Sequence, residues 1–169
     1  MINENDKGKE KEESKYKVEY LGQKYTQDLL IYKVIILGLY GVGKTTIINN
    51  LIKKDTDKEY EPTISVDVIY FQVKVNDKII QIQIWDTCGN DEFALNTPNL
   101  FKNASIAILV YAINDKKSYQ DIVQWYNMLL NHCYDHTIFL IGNKSDLEKE
   151  RKVKLKDAET FKNNYHDIN

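Results

Sequence analysis

The sequence predicts an α/β fold built on a mostly parallel sheet, and three observations carry that prediction. Short apolar, β-branched runs alternate along the chain with segments whose apolar residues recur at helical spacing. One glycine-rich loop, Gly38-Leu39-Tyr40-Gly41-Val42-Gly43-Lys44-Thr45, stands between such a run and such a segment. The polar loops that follow the strands lie at their carboxyl ends, where open α/β sheets hold their ligands.

The chain has 169 residues, 43% of them hydrophobic, enough for one domain with a real core and too few for two ordinary ones. A net charge of −2 advertises neither nucleic acid nor an anionic membrane as a partner. Two cysteines, Cys88 and Cys133, make neither a disulfide framework nor a metal set, and fit a reducing compartment. No apolar run approaches the roughly 18 residues of a membrane span. The N-terminus is no signal peptide, and Met1-Ile2 and the final Asn169 offer no lipidation signal. A cytoplasmic protein without a membrane anchor in this chain is expected.

Residues 1–28 mix Lys with Glu and Asp and hold few aliphatics, which predicts a charged, disordered extension ahead of a domain over 29–169. Leu29 to Leu37 reads as the first buried strand. After the glycine loop, Ile47, Ile48, Leu51 and Ile52 fall on one helical face. Residues 53–63 form a long polar loop beside the glycine loop, a length that favours function. Val66 to Val75 and Ile79 to Trp85 predict a hairpin turning at Asn76-Asp77, with Ile80, Ile82 and Ile84 as its apolar face. Ser105 to Ala112 and Thr137 to Ile141 are further strands. Segments 116–131, with Trp125 in the core, and 155–164 are helices. His132, His136 and His166 show no ligand spacing and are expected at the surface.

Strand, glycine loop and helix together are the context of a phosphate-binding loop. Glycines let the backbone fold back so that successive N–H groups converge on an anion, and the helix N-terminus adds its dipole. Lys44 can then reach the terminal phosphates, and the Thr45 hydroxyl, next to Thr46, can sit on Mg²⁺. Asp86, at the end of a strand, is the second metal group. Thr63, behind the stiffening Pro62, can bring a third oxygen to the metal. Gly89 can offer a bare N–H to the last phosphate. Asn143-Lys144-Ser145-Asp146, after another strand, suits a purine base. A carboxylate there accepts two hydrogen bonds from guanine, a pair adenine does not offer, and the Lys144 stem can pack on the ring. A P-loop ATPase or kinase is the competing class, and Asn143 and Asp146 argue against it.

Gly38–Thr45, Pro62-Thr63, Asp86-Thr87-Cys88-Gly89 and Asn143–Asp146 resemble the guanine-nucleotide motifs of Ras-superfamily small GTPases. Thr63–Val68 and Ile82–Thr87 are most similar to the Rab branch. The resemblance runs from about residue 30 to the end. It implies a G domain with one antiparallel edge strand and helices on both faces, lacking the family's last strand and helix. It implies GTP or GDP with Mg²⁺ as ligands, held by Gly38, Tyr40, Gly41, Val42, Gly43, Lys44, Thr45, Thr46, Thr63, Gly89, Asn143, Lys144 and Asp146, with Thr45, Thr63 and Asp86 on the metal. Asn90, Gly89 and Lys44 become the catalytic set. Effectors, exchange factors and activating proteins would bind residues 56–68 and 87–103, acting in vesicle trafficking or signalling.

Several positions depart from the family pattern. Tyr40 stands where the family carries Gly or Ser, and Asn90 replaces the glutamine that orients the attacking water. Thr56 replaces an aromatic over the base, and Cys88 a small alanine. The effector triad becomes Val68, Trp85 and Leu100. The chain ends before the loop that completes the base pocket and before the last helix, so it is expected to be a fragment or to have an open pocket. Membrane association would need a lipid site beyond this chain. Slow hydrolysis follows; the alternative is a pseudo-GTPase, a nucleotide-stabilised interaction module.

Overall fold

The computed structural model describes residues 17–52, 63, 65–89, 98–132, 137–165 and 168. Thr56, Pro62, Asn90, Cys133, His136 and His166 lie outside them, as do residues 56–62, 64 and 90–97 of the two loops expected to meet partners. A six-stranded sheet forms the centre, in the order β1-β3-β4-β2-β5-β6. The strands are β1 Val18–Gly22, β2 Ile31–Leu37, β3 Asp67–Val75, β4 Lys78–Asp86, β5 Ile106–Ala112 and β6 Thr137–Asn143. Strands β4, β2, β5 and β6 pair in parallel, and β3 runs antiparallel to β4.

Two expectations about the start of the chain change. Residues 18–22, assigned by composition to the extension, form β1 and pair antiparallel with β3, Val18 opposite Val75 and Tyr20 opposite Val73. The reversed strand β3 is therefore not the edge. Tyr20 meets the ring of Phe71 at 5.7 Å, so a single aromatic on a charged background carries the contact. The following residues explain a second departure, in the hairpin. Gln72 and Gln81, opposite one another on the face expected to be polar, are buried. Thr26 covers them: its N–H donates to Gln81 Oε1 at 2.8 Å and its hydroxyl accepts from Gln72 Nε2 at 2.7 Å.

The hairpin turns at Asn76-Asp77 as the sequence predicts, with Val75 facing Lys78 and Asn76 at φ 53°. That positive φ suits asparagine in a two-residue hairpin turn. Helices cover both faces of the sheet. Helix α1 (Lys44–Leu51) lays Ile48 on Val34, Ile36, Phe71, Ile84 and Val110. Leu51, expected on the same face, is 52% exposed, while Ile52, just past the helix end, is buried. The opposite face carries α2 (Lys116–Gln120), α3 (Ile122–His132) and α4 (Leu155–Asn164). The segment expected as one helix breaks at Asp121, whose carbonyl accepts from both Gln124 and Trp125 N–H groups. Ile122, Trp125 and Leu129 are completely buried against Ile35, Leu37 and Leu109. Truncating a buried side chain of that size costs ~3–5 kcal/mol for tryptophan. Ile168 forms an isolated parallel bridge to Ile138 of β6.

Candidate functional site

The carboxyl ends of β2, β4 and β6 bring the sequence motifs together. Leaving β2, the loop 38–43 turns into α1, with Gly43 as an N-cap in the left-handed region at φ 94° and Lys44 and Thr45 in the first turn. Leaving β4, Asp86 is followed by Thr87, whose hydroxyl donates to the Ile36 carbonyl at 2.8 Å and ties the two strand ends. Leaving β6, Asn143 donates its side-chain amide to the Val42 carbonyl at 2.8 Å, 101 residues away in sequence. Asn143 thus joins the base loop to the phosphate loop. A Cβ on Gly43 would collide with that same amide.

Three oxygens converge beside α1. Thr45 Oγ1 donates to Asp86 Oδ2 at 2.6 Å and lies 2.9 Å from Thr63 Oγ1. Asp86 is 1% exposed, and its other oxygen, Oδ1, has no hydrogen-bond partner. One carboxylate and two hydroxyls suit a small hard cation such as Mg²⁺, which takes few protein ligands and completes its octahedron with water and phosphate. Among the described residues no group of three or more His, Cys, Asp or Glu could hold a metal, which leaves this oxygen set as the candidate. Burial raises the Asp86 pKa, opposed by the Thr45 hydrogen bond and the Lys44 charge.

Lys44 is 5% exposed. Its ammonium donates to the carbonyls of Gly38 at 2.9 Å and Leu39 at 3.3 Å. Burial lowers its pKa from 10.5 to about 8, with Asp86 and Cys88 pulling the other way. Gly89, at φ 73°, is packed against the phosphate loop. A Cβ there would lie 2.6 Å from Lys44 Nζ and from the Tyr40 backbone nitrogen. Only glycine brings the backbone of the second loop this close to the cradle.

These groups surround a cavity of about 350 Å³ lined by Tyr40, Gly41, Gly43, Lys44, Thr45, Thr46, Thr63, Thr87, Cys88 and Lys144. Tyr40 is 53% exposed and stands on its wall. The side chain of Val42 points elsewhere, into the core with Ile48. Lys144, at φ 64°, caps the short helix Ser145–Glu150, which carries the exposed Asp146. Gly142 before it packs against the ring of Tyr111, and a Cβ added there would lie 2.7 Å from the Tyr111 hydroxyl. Sequence reasoning missed Thr87 as a wall of the cavity and as a tie to β2. Its place directly after Asp86, in the stretch Asp86-Thr87-Cys88-Gly89, is the available signal. Leu100, expected on a partner surface with Val68 and Trp85, is 0% exposed and belongs to the core, while Val68 remains exposed.

Comparison with known proteins shows the family. The Ras family model matches residues 33–169. The Ypt/Rab-type GTPase ypt7 of Schizosaccharomyces pombe is 34% identical over 128 residues, covering 73% of this chain and 62% of the relative. Ras-related protein Rab-11C of Dictyostelium discoideum is 33% identical over 132 residues, 78% of this chain and 59% of that protein. Ras-related protein RABA1c of Arabidopsis thaliana is 33% identical over 132 residues, 78% of this chain and 61% of that protein. The chain thus spans about three fifths of the length of these curated relatives. With a family match that takes in residues 38–45, Asp86 and residues 143–146, the chain belongs to the Ras family and is similar to its Rab-type members.

Proposed function

We propose that this chain is a guanine-nucleotide switch that binds GTP and GDP with Mg²⁺ and hydrolyses GTP slowly, in a Rab-like role in vesicle traffic. The convergence of Thr45, Thr63 and Asp86 within 2.9 Å, beside a lysine held at the mouth of α1, is the observation that carries the reading. Lys44 takes the terminal phosphates in exchange for the two carbonyls it now holds. The N–H groups of 41–46 and the positive end of α1 face the same charge. Thr45 and Asp86 hold the metal, which when bound neutralises charge on the phosphates. Thr63 joins them from the loop before β3, so residues 56–68 sense the ligand. Gly89 does the same for the loop after β4. Lys144 and Asp146 take the base, and Asn143 keeps their loop attached to the phosphate loop. Effectors, exchange factors and activating proteins then read the loops at 56–68 and 87–103. Leu100 is excluded from that surface by its burial.

Competition against a labelled guanine nucleotide tests the reading. GTP and GDP should displace the label in the presence of Mg²⁺, and ATP should not. Asp146→Asn should narrow the gap between GTP and ATP by at least tenfold, because an amide cannot accept both hydrogen bonds from guanine. ATP competing as well as GTP against the parent protein would overturn the assignment.

A further inference from the structure

Cys88 is the odd residue in the stretch that ends β4 and follows it. Asp86, Thr87 and Gly89 are buried, and Cys88 alone of the four is partly exposed. Both of its neighbours are held. The Thr87 hydroxyl is tied to the Ile36 carbonyl, and Gly89 packs so close that a Cβ on it would lie 2.6 Å from Lys44 Nζ. Cys88 itself lines the cavity of about 350 Å³, together with Tyr40, Lys44, Thr45 and Lys144. It is a free thiol, and charge on its sulfur would act on the Lys44 ammonium. A second observation marks the same place for a ligand. Asp86, 1% exposed, leaves Oδ1 without a partner, while Oδ2 accepts from Thr45, itself a residue of the cavity. A buried oxygen of that kind is costly until a partner meets it.

The cavity favours anions. Lys44 and Lys144 line it, and α1 opens on it with the unpaired N–H groups of its first turn. Against them stands the one carboxylate of Asp86, engaged by the Thr45 hydroxyl. A thiol in such surroundings meets anionic reagents at a raised local concentration. We infer that Cys88 is a thiol–disulfide exchange site for small anionic disulfides of the glutathione type, and that a thiol captured there and a ligand in the cavity exclude one another. In the exchange, Cys88 Sγ bonds to one sulfur of the incoming disulfide as the S–S bond of that disulfide breaks. The other half leaves as a thiolate and takes up the proton that Cys88 gives. Cys88 is oxidised to the mixed disulfide, and half of the reagent is reduced to a free thiol. A further thiol reverses the step. The inference rests on the proposed function only in taking nucleotide phosphates as the ligand excluded.

The whole chain, freed of nucleotide, is treated with glutathione disulfide or with the cationic disulfide cystamine. Peptide mapping by mass spectrometry reads Cys88 and Cys133 separately. The ratio of the two rates at Cys88, divided by the same ratio in the urea-unfolded chain, should favour glutathione disulfide at least threefold. A smaller preference overturns the inference. GDP with Mg²⁺ should slow exchange at Cys88 at least tenfold, and pyrophosphate with Mg²⁺ should do so by filling the glycine loop alone. Exchange that neither slows, in a chain that binds GDP, overturns it too. With glutathione on Cys88, GDP should bind at least tenfold more weakly, and dithiothreitol should restore the binding. Undiminished GDP binding by the mixed disulfide overturns the exclusion. Cys88→Ala should keep its own GDP affinity through the same treatment; a loss there would place the effect at Cys133 and overturn the assignment. A parent that never binds GDP overturns the proposed function instead, and the charge preference at Cys88 still judges the thiol site.

Discussion

Lys44 carries the sharpest residue-scale consequence. In the unfolded chain its proton is held up to the ordinary value of 10.5, and in the folded one only to about 8. Between those values unfolding takes up a proton, so stability of the metal- and nucleotide-free protein rises with pH through that window and is flat below it. The rise should amount to about 3 kcal/mol at most, and Lys44→Met should abolish it in urea titrations run from pH 7 to 10. A parent curve that falls over that range would contradict the burial of this ammonium. Tyr40 sets a second expectation. A tyrosine on the cavity wall adds bulk where an activating arginine would enter, a contribution worth ~10³–10⁵ in rate. On the proposed function, Asn90 replaces the family glutamine with a side chain one methylene shorter, roughly 1 Å, and a displacement of that size costs about a hundredfold. Single-turnover hydrolysis should therefore speed up in Asn90→Gln, Tyr40→Gly or the double variant. If none is faster, these two residues are not the brake. If no variant turns over at all, the interaction-module alternative gains.

At the scale of elements, the loops at the strand ends were legible because their chemistry is local. Lys44, Thr45 and Asp86 lie beside apolar runs that periodicity identifies as β2 and β4, so their coming together was expected from the sequence. The misreadings share a different cause: long-range burial that no local pattern encodes. Leu51 follows the helical stripe, yet it stays exposed while its neighbour Ile52 takes the buried place. Leu100 sits in a polar stretch and is buried by the turn around it. Gln72 and Gln81 look like a solvent face until Thr26 crosses them. Strand β1 is the largest case, since 18–22 share the composition of a solvated tail and pair only because β3 offers a free edge. Tyr20 is the residue that secures it. Replacing Tyr20 with Ala should cost ~1–3 kcal/mol through lost packing on Phe71. Val18→Ala, at 62% exposure, should cost under ~0.5 kcal/mol. Equal losses in chemical denaturation would mean that β1 is held by its backbone alone.

For the whole molecule, the cavity is where separate parts of the chain meet. The glycine loop leaves β2, Asp86 ends β4 and Lys144–Asp146 follow β6. Outside the sheet itself, they are linked by single contacts such as Asn143 to Val42 and Thr87 to Ile36. Those links are polar and thin compared with the two apolar layers on the sheet faces. A ligand that touches all three strand ends adds cross-links to those few polar ones. Binding to the folded state alone stabilises by about 2.7 kcal/mol at a hundred times the dissociation constant. For a domain of this size that corresponds to roughly 5–10 °C in melting temperature. GDP with Mg²⁺ should produce that shift and ATP with Mg²⁺ should not. EDTA should remove most of it, since the proposed function has Thr45 and Asp86 act through the metal. Asp86→Asn should lose the metal-dependent part while keeping the base-dependent part, and Asp146→Asn should do the reverse. Should both variants lose the same part, the phosphate and base ends would not be separable as the geometry requires.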